Sequence, residues 1–281
     1  AEHEQARACA ARSGSPQLEA RALSGLGDAY YQRGQMLTAY RYFDHCIELC
    51  REHGVRSVEA VNLAMRAATR LNRNELAEAL EDARVASRLA AQIGDLRAQM
   101  LAENLWCTCL AYATDWQGSA QHAELALEIA RRLGARRFEA ETLMYVGIAR
   151  WQIDGAAQGE RILDGSHALC VETGATAYFG PPILAALAAV TSDPGKRRAA
   201  LEQGEALLAG GCVSHCHLLF HEYAIDIQLD QEDWPAVERH AAALEAYVRV
   251  EPTPWSDFLV RRARALARAG EGVRDASLVT A

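Results

Sequence analysis

Glycine recurs every forty residues along the first part of the chain, at Gly14, Gly54, Gly94, Gly134 and Gly174. Each glycine follows a segment with helical apolar periodicity, as in "IELCREHG" and "SRLAAQIG", and helices often end at a glycine in the left-handed conformation. A fixed period of this length indicates stacked supersecondary units that bury their apolar faces against one another. The spacing therefore predicts a helical-repeat protein.

Small residues also recur within each period, separated by twelve and then by seven positions. Two antiparallel helices approach closely only where the facing side chains are small, so we expect these positions where the helices of a pair meet. In the first four periods they are Gly27, Ala39 and Cys46; Ala67, Ala79 and Ala86; Cys107, Ser119 and Ala126; and Gly147, Gly159 and Ser166. The spacing continues in Ala224, Ala236 and Ala243 and, with one large residue, in Leu187, Ala199 and Ala206.

The first period resembles the tetratricopeptide repeat. Its pattern, W-x2-L-G-x2-Y and then A-x3-F, is matched by Leu26, Gly27 and Tyr30 and then by Ala39 and Phe43, without the tryptophan or the closing proline. The resemblance implies an all-α, right-handed α-solenoid of about six antiparallel helix pairs with a C-terminal capping helix. An alanine-rich apolar content with only 7% aromatic residues also favours close-packed helices over a β-sandwich.

The repeat register predicts one superhelical domain over residues 1–281, cut from a longer protein. Residues 1–13 are expected to be the second helix of a truncated repeat, 18–174 four regular repeats, 178–250 two degenerate repeats, and 256–270 the capping helix. The regular pairs are predicted at 18–33 and 36–53, 57–73 and 75–93, 97–113 and 117–133, and 137–152 and 157–173. Breakers such as Pro181-Pro182 place the irregular pairs at 181–191 and 195–209 and at 215–230 and 234–249.

Charge and cysteine usage narrow the class of protein. The formal net charge is -8, so no overall positive field favours nucleic acid as a partner. The 8 cysteines show no disulfide framework, and neither a membrane span nor a signal peptide is indicated. These features predict a soluble cytoplasmic chain with reduced thiols.

Several phrases resemble one bacterial family more closely. They include "EARALSGLGDAYYQRGQMLTAYRYFDHCIELCREHG" at 19–54 and "GCVSHCHLLFHEYAID" at 211–226. The chain is similar to the C-terminal repeat region of proteins that carry an N-terminal class III adenylate/guanylate cyclase domain and a central P-loop ATPase. The resemblance implies a regulatory or partner-binding role in a signalling protein, and it brings no catalytic residue to this chain.

Motifs for chemistry are scarce. The sequence has no G-x-x-x-x-G-K-[ST] loop and no G-x-S-x-G elbow, so we predict a non-catalytic chain without a cofactor. Cys212, Cys216, His217 and His221 form a weak candidate zinc cluster, because thiolate and imidazole suit that metal. Their spacing matches no established zinc signature, and a helix start with packed cysteines and surface histidines is the alternative.

In a repeat array, the first helices of successive pairs form the concave face, where partners bind. Helical spacing from the small positions predicts a face that includes Arg21, Asp28, Tyr31, Asn104, Met144 and Trp151. This face could bind a peptide or protein partner, or the cyclase and ATPase domains of the same chain; the same residues could instead simply pack against the next repeat. The other functional hypothesis is a sensor that holds a small effector in the lumen of the superhelix. The sequence does not indicate the oligomeric state.

Overall fold

The computed structural model describes residue 12 and residues 14–273, and within this part the chain is all-helical. None of the described helices combines the length and the apolar character that crossing a membrane requires. The expected helix at 1–13 lies outside the described residues, apart from Arg12. The helices are α1 (Pro16–Tyr31), α2 (Met36–His53), α3 (Arg56–Asn72), α4 (Leu76–Ile93), α5 (Leu96–Tyr112), α6 (Trp116–Arg132), α7 (Arg136–Asp154), α8 (Ala156–Glu172), α9 (Thr176–Val190), α10 (Pro194–Ala209), α11 (Ser214–Asp230), α12 (Trp234–Val248) and α13 (Pro254–Gly270).

The glycine period marks the ends of the second helices, as the sequence predicts. α2 ends at Gly54, which has φ 68° and donates its N–H to the Cys50 carbonyl, and α4 ends at Gly94 with φ 70°. An L-residue with a side chain is strained in this left-handed region, so glycine is the residue that stops the helix at least cost. The chain then turns directly into the first helix of the next pair.

The small positions lie at the contacts between paired helices. All twelve predicted in the first four pairs are buried. The first small residue of each period faces the residue sixteen positions later, on the second helix of the pair. Where the first residue is glycine, the facing side chain is large, and where it is alanine, the facing side chain is small. A Cβ atom at Gly27 would be 2.3 Å from a ring carbon of Phe43, and one at Gly147 would be 2.8 Å from Leu163. In the second period the buried pair is Ala67 and Ala83, which lie in one core cluster.

Polar contacts repeat with the same register. The Cys46 thiol donates to the Ala20 carbonyl at 3.1 Å, and 120 residues later the Ser166 hydroxyl donates to the Ala140 carbonyl at 2.7 Å. Both bonds join the second helix of a pair to the first helix of the same pair. A cysteine and a serine thus serve as equivalent small donors, which is why the repeat tolerates both.

The fifth pair corrects two expectations. α9 begins at Thr176 and runs through Pro181 and Pro182, although the two prolines predict a helix start near 181. Proline removes the hydrogen bond to the carbonyl four residues earlier, and in this helix those carbonyls have other donors. The Val213 N–H donates to the Ala177 carbonyl at 3.3 Å, and α11 supplies the donors for Tyr178.

The second expectation corrected by the fifth pair is the register of its small residues. Ala199 and Ala206 are exposed, whereas Ala200 and Gly204 are buried. A Cβ atom at Gly204 would lie 2.2 Å from the ring of Phe220 in α11. The small position of α10 is therefore set by the aromatic ring that α11 places against it, and the forty-residue register does not extend this far.

The last units return to the first pair and close the array. The Ser214 N–H donates to the Gln32 carbonyl at 3.2 Å, and the Ser214 hydroxyl donates to the Tyr31 carbonyl. The Glu251 carboxylate accepts the backbone N–H groups of Leu37 at 2.8 Å and Thr38 at 3.1 Å. We call these contacts, which join the α1–α2 turn to α11 and the turn after α12, the clasp.

Candidate functional site

A cavity of about 390 Å³ lies at the centre of the array. The first helix of every pair contributes to its wall, and Trp255 of α13 completes it. A second cavity of about 260 Å³ shares part of this wall, including Thr108, Tyr145 and Leu219. Ligand sites for small molecules commonly have volumes of a few hundred Å³ or more. The two cavities are therefore the candidate site, and they lie on the face that the repeat pattern assigns to binding.

Aromatic side chains line much of the wall. Tyr31, Phe138, Tyr145, Phe179 and Trp255 all line the main cavity. They reach it from α1, α7, α9 and α13, so four different units each place a ring around one space. Such rings offer apolar contact and a negative π face to a ligand.

Four carboxyl groups line these cavities: Asp28 and Glu141 line the main one, and Glu222 and Asp226 line the second. Two of the four are glutamates, and the first of these, Glu222, already has hydrogen-bond donors. Glu222 of α11 lines the second cavity and accepts hydrogen bonds from the Tyr112 hydroxyl at 2.9 Å and from Trp255 Nε1 at 3.3 Å. Burial raises the pKa of Glu222 to about 7, although these two donors and Arg262 oppose the rise. This group links α5, α11 and α13, and its role is to hold the wall together.

The second of these glutamates, Glu141 of α7, lines the main cavity and has no hydrogen-bond or ion-pair partner among the described residues. Burial alone raises the pKa of Glu141 to about 8. Tyr31 and Tyr145 are close enough for its charge to raise their own pKa values, in both cases after the larger effect of burial. The main cavity therefore contains an unsatisfied acid beside phenol rings.

Three of the six residues predicted for the concave face line these cavities. Asp28 and Tyr31 lie in the wall of the main cavity, and Met144 lies in the wall of the second. They come from α1 and α7, the first helices of the first and fourth pairs.

The other three residues lie elsewhere. Arg21 is exposed near the start of α1. Asn104 is buried, and its side-chain oxygen accepts a hydrogen bond from the Thr142 hydroxyl at 3.1 Å. Trp151 is half-buried and packs against the core cluster of the α7, α8 and α9 region. In this structure Asn104 and Trp151 join neighbouring helices and do not line a cavity.

The two candidate thiol ligands make hydrogen bonds to helix carbonyls. Cys212 Sγ donates to the Leu207 carbonyl at 3.3 Å, and Cys216 Sγ donates to the Tyr178 carbonyl at 3.0 Å. Burial raises the pKa of both thiols. A protonated thiol with a backbone acceptor acts as a small apolar residue with a weak donor.

The two candidate histidine ligands point to other partners. The His217 ring stacks on Tyr247 with 4.0 Å between ring centroids, and His221 Nδ1 lies 3.3 Å from His240 Nδ1. Residues 14–273 hold no group of three or more potential metal ligands. The four residues Cys212, Cys216, His217 and His221 are thus placed on one helix start without converging on a common point.

Sequence reasoning missed several wall residues, and two of them had a usable signal. Helical spacing from the small positions also puts Thr108 and Glu141 on the predicted face, and Tyr112 and Tyr145 each lie one helical turn further along. Glu222 and Trp255 had no such signal, because they reach the cavity only after the last units fold back onto the first.

The comparisons show the fold. No family model matches the chain, and no curated protein matches it. A solved Rap protein in complex with competence and sporulation factor aligns with a TM-score of 0.62 and 14% identity over 92% of this chain and 77% of that one. The chain has the tetratricopeptide-repeat-like (TPR-like) solenoid fold.

Two further TPR-like structures are longer than this chain. Aspartyl phosphate phosphatase F from Bacillus subtilis aligns with a TM-score of 0.63 and 10% identity over 89% of this chain and 61% of its own length. A signal transduction ATPase with numerous domains and a tetratricopeptide repeat sensor, from Pyrococcus horikoshii, aligns with a TM-score of 0.53 and 13% identity over 91% of this chain and 37% of its own length. The chain therefore spans less than two thirds of either protein.

Proposed function

We propose that this chain is a non-catalytic regulatory module that binds its ligand in the central cavity and passes the bound state to a partner. The observation that carries the proposal is the composition of the wall, to which every helix pair contributes. A ligand in such a cavity contacts all six pairs at once. Its binding energy can therefore favour one arrangement of the whole array over another.

A small ligand fits this geometry better than a long peptide in an open groove. α11 and α13 complete the wall that the first helices of the first five pairs form, and the clasp joins α11 to the turn after α1. A long extended segment would have to displace these helices, whereas a small effector or a short peptide needs only the existing space. The sensor hypothesis thus gains support from the clasp and from the cavity.

The partner that responds is proposed to be a protein, or another domain of the same chain. One neighbour in fold is described as carrying a repeat sensor within a multidomain ATPase, and a Rap protein was solved with competence and sporulation factor. The phrases at 19–54 and 211–226 support an upstream cyclase and P-loop ATPase. The upstream gene sequence tests this part directly, because a different domain there would remove the cyclase context.

The non-catalytic part of the proposal rests on the sequence, which carries no nucleotide-binding loop and no nucleophile elbow. We expect the purified chain to show no turnover of nucleotides. Cyclase or ATPase activity from this chain alone would refute this part.

A cavity-filling variant tests the binding site. Val61 lines the main cavity and Val171 is exposed on α8, so Val61→Trp and Val171→Trp apply the same substitution inside and outside the site. The purified chain is screened against a metabolite library by thermal shift, since a ligand at 100 times its Kd stabilises the folded state by about 2.7 kcal/mol. We expect Val61→Trp to abolish a shift that Val171→Trp retains. Equal shifts in both variants would place the site elsewhere.

A further inference from the structure

The unpartnered carboxyl of Glu141 indicates the class of ligand. The carboxyl lies deep in the wall, and the side chain retains some exposure to the cavity space. A buried ionisable group without a partner is costly, since burial without a hydrogen bond or an opposite charge disfavours the ionised form. A group of this kind, facing a space large enough for a ligand, can be satisfied by the ligand.

The nearest basic side chain on the same helix does not satisfy Glu141. Arg137 lies one turn earlier on α7, and its guanidinium lies over the Tyr178 ring at 4.5 Å from the centroid. Arg137 is the only arginine or lysine among the described residues that line the main cavity. With this cation held by the ring of Tyr178, the Glu141 end of the cavity has no positive charge of its own.

The surroundings of Glu141 suit a cation with an apolar body. Tyr31 and Tyr145 flank the carboxyl, and Phe138 lies on the same wall. Ring faces attract a positively charged group, and the leucines of α5 and α11 that line the cavity give apolar contact to the rest of the ligand. Glu222 lies in the adjoining cavity with its own donors, and Asp28 in the main cavity also has an interaction partner. Glu141 is therefore the carboxyl group of the main cavity that a ligand can satisfy.

We propose that the cavity binds an organic cation, an amine or guanidinium on an apolar body, and that Glu141 pairs with the charged nitrogen. The inference rests on the proposed function, because it assigns the ligand of the same cavity. It names a ligand class that a purely apolar cavity would not select.

Proton release on binding is a consequence of this pairing. With a pKa of about 8, Glu141 is mostly protonated at pH 7, and a cation stabilises the ionised form. Binding of the cation therefore releases a proton. Below pH 8, the affinity for the cation increases with pH, by up to tenfold per pH unit. The titratable and charged groups that face Glu141 or the same cavity are Asp28 and Tyr31 of α1, Cys107 and Tyr112 of α5, Arg137 and Tyr145 of α7, Tyr178 of α9, and His215 and Cys216 of α11.

The phenols, thiols and histidine around Glu141 do not change the affinity for a cation in this pH range. Burial raises the pKa values of the phenols Tyr31 and Tyr145 and of the thiols Cys107 and Cys216 above their usual ranges. Burial lowers the pKa of His215, against the opposing hydrogen bond to the Tyr178 carbonyl. Their protonation states are therefore fixed between pH 7 and pH 8. Glu141 titrates there in the main cavity, and Glu222, with a pKa of about 7, titrates in the adjoining one.

Three probes of similar size, with the same phenyl group and carbon chain length, separate charge from apolar contact. Binding of 3-phenylpropylamine, 3-phenylpropanol and 3-phenylpropionate to the purified chain is measured by isothermal titration calorimetry at pH 7. The variants are Glu141→Gln and, as a matched control, Glu128→Gln on the exposed face of α6. A charged hydrogen bond contributes about 1.5–3 kcal/mol, so we expect the amine to bind about 10–100-fold more tightly than the alcohol.

Two comparisons test whether Glu141 pairs with the charged nitrogen of the amine: the first between variants and the second between buffers. Glu141→Gln should remove the preference for the amine and leave the affinity for the alcohol within about threefold, whereas Glu128→Gln should change neither. Calorimetry of the wild-type chain in two buffers of different ionisation enthalpy should show release of about nine tenths of a proton per amine bound at pH 7. This second measurement remains informative if Glu141→Gln does not fold.

Each outcome separates the two proposals. If the amine and the alcohol bind equally, or the amine binds without releasing a proton, the cation assignment is overturned and the cavity remains a binding site. If the propionate binds most tightly, the site prefers anions and the assignment is also overturned. If none of the three probes binds at millimolar concentration, both the assignment and the cavity as a ligand site fail.

Discussion

The contact between Gly27 and Phe43 offers the sharpest test of how the small positions act. A Cβ atom at Gly27 would lie 2.3, 2.5 and 2.9 Å from three ring carbons of Phe43. Phe43 has no exposed surface, so the ring has little freedom to retreat. Gly27→Ala should therefore force the two helices of the first pair apart.

The size of the effect follows from two opposing contributions. Overpacking a buried contact costs about 1–3 kcal/mol, and an approach of 2.3 Å to a ring without free space belongs at the upper end. Alanine in a helix interior is favoured over glycine by about 1 kcal/mol. We expect Gly27→Ala to lower the free energy of unfolding by about 2 kcal/mol.

Gly165 is the matched control. It is exposed in α8, and a Cβ atom there would meet no atom within 4 Å. Gly165→Ala should raise the free energy of unfolding by about 1 kcal/mol, since only the helix-propensity contribution applies. The difference of about 3 kcal/mol between the two variants then isolates the steric cost, because the propensity gain cancels.

A background variant checks that the ring is the cause. In a Phe43→Ala chain, Gly27→Ala produces the alanine pair of the second period, so this second substitution should become neutral or stabilising. Urea unfolding followed by circular dichroism gives all of the free energies. If Gly27→Ala and Gly165→Ala agree within about 0.5 kcal/mol, the argument that glycine is required by close helix approach is wrong.

Three further predictions address other contacts. Glu251→Ala should destabilise the chain by about 1–2 kcal/mol through loss of the α2 N-terminal cap and speed amide exchange in the α1–α2 turn, measured by hydrogen exchange mass spectrometry; unchanged exchange there would contradict the clasp. Asp82→Asn should cost about 3 kcal/mol in urea unfolding, because this buried carboxylate binds two arginines; a loss below 1 kcal/mol would show that the network is not important. Burial lowers the pKa of His221 to about 3 and of His240 to about 4, so the unfolded state takes up protons first and the free energy of unfolding should fall as pH drops from about 6.5 towards 4; a chain with both His221→Gln and His240→Gln and the same pH profile would exclude this cause.

The repeat register could be predicted because its causes are local. A left-handed glycine and a small residue each mark their own position, and the forty-residue period multiplies the signal. The polar contacts between paired helices recur with the same period, because Cys46 and Ser166 donate hydrogen bonds to equivalent carbonyls. Where the period is intact, the predicted helix pairs lie within a few residues of those in the structure.

The shape of the binding site could not be predicted in the same way. The clasp joins Glu251 to Thr38 across 213 residues, and nothing in either segment alone indicates the contact. Without it, the first helices of the pairs predict an open concave groove. With it, residues such as Glu222 and Trp255 become part of the wall, and the groove becomes a cavity.

The start of α11 shows why local rules fail where tertiary contacts replace missing bonds. Pro181 and Pro182 deprive the carbonyls of Ala177 and Tyr178 of their helical donors, and an isolated segment would stop there. His215 Nε2 donates to the Tyr178 carbonyl at 2.6 Å, beside the Cys216 thiol. Cys216, a candidate metal ligand in the sequence, is thus one of the two donors that let α9 continue through two prolines. Since the same helix start also holds the clasp, the donors that preserve α9 fix the position of α11 across the cavity.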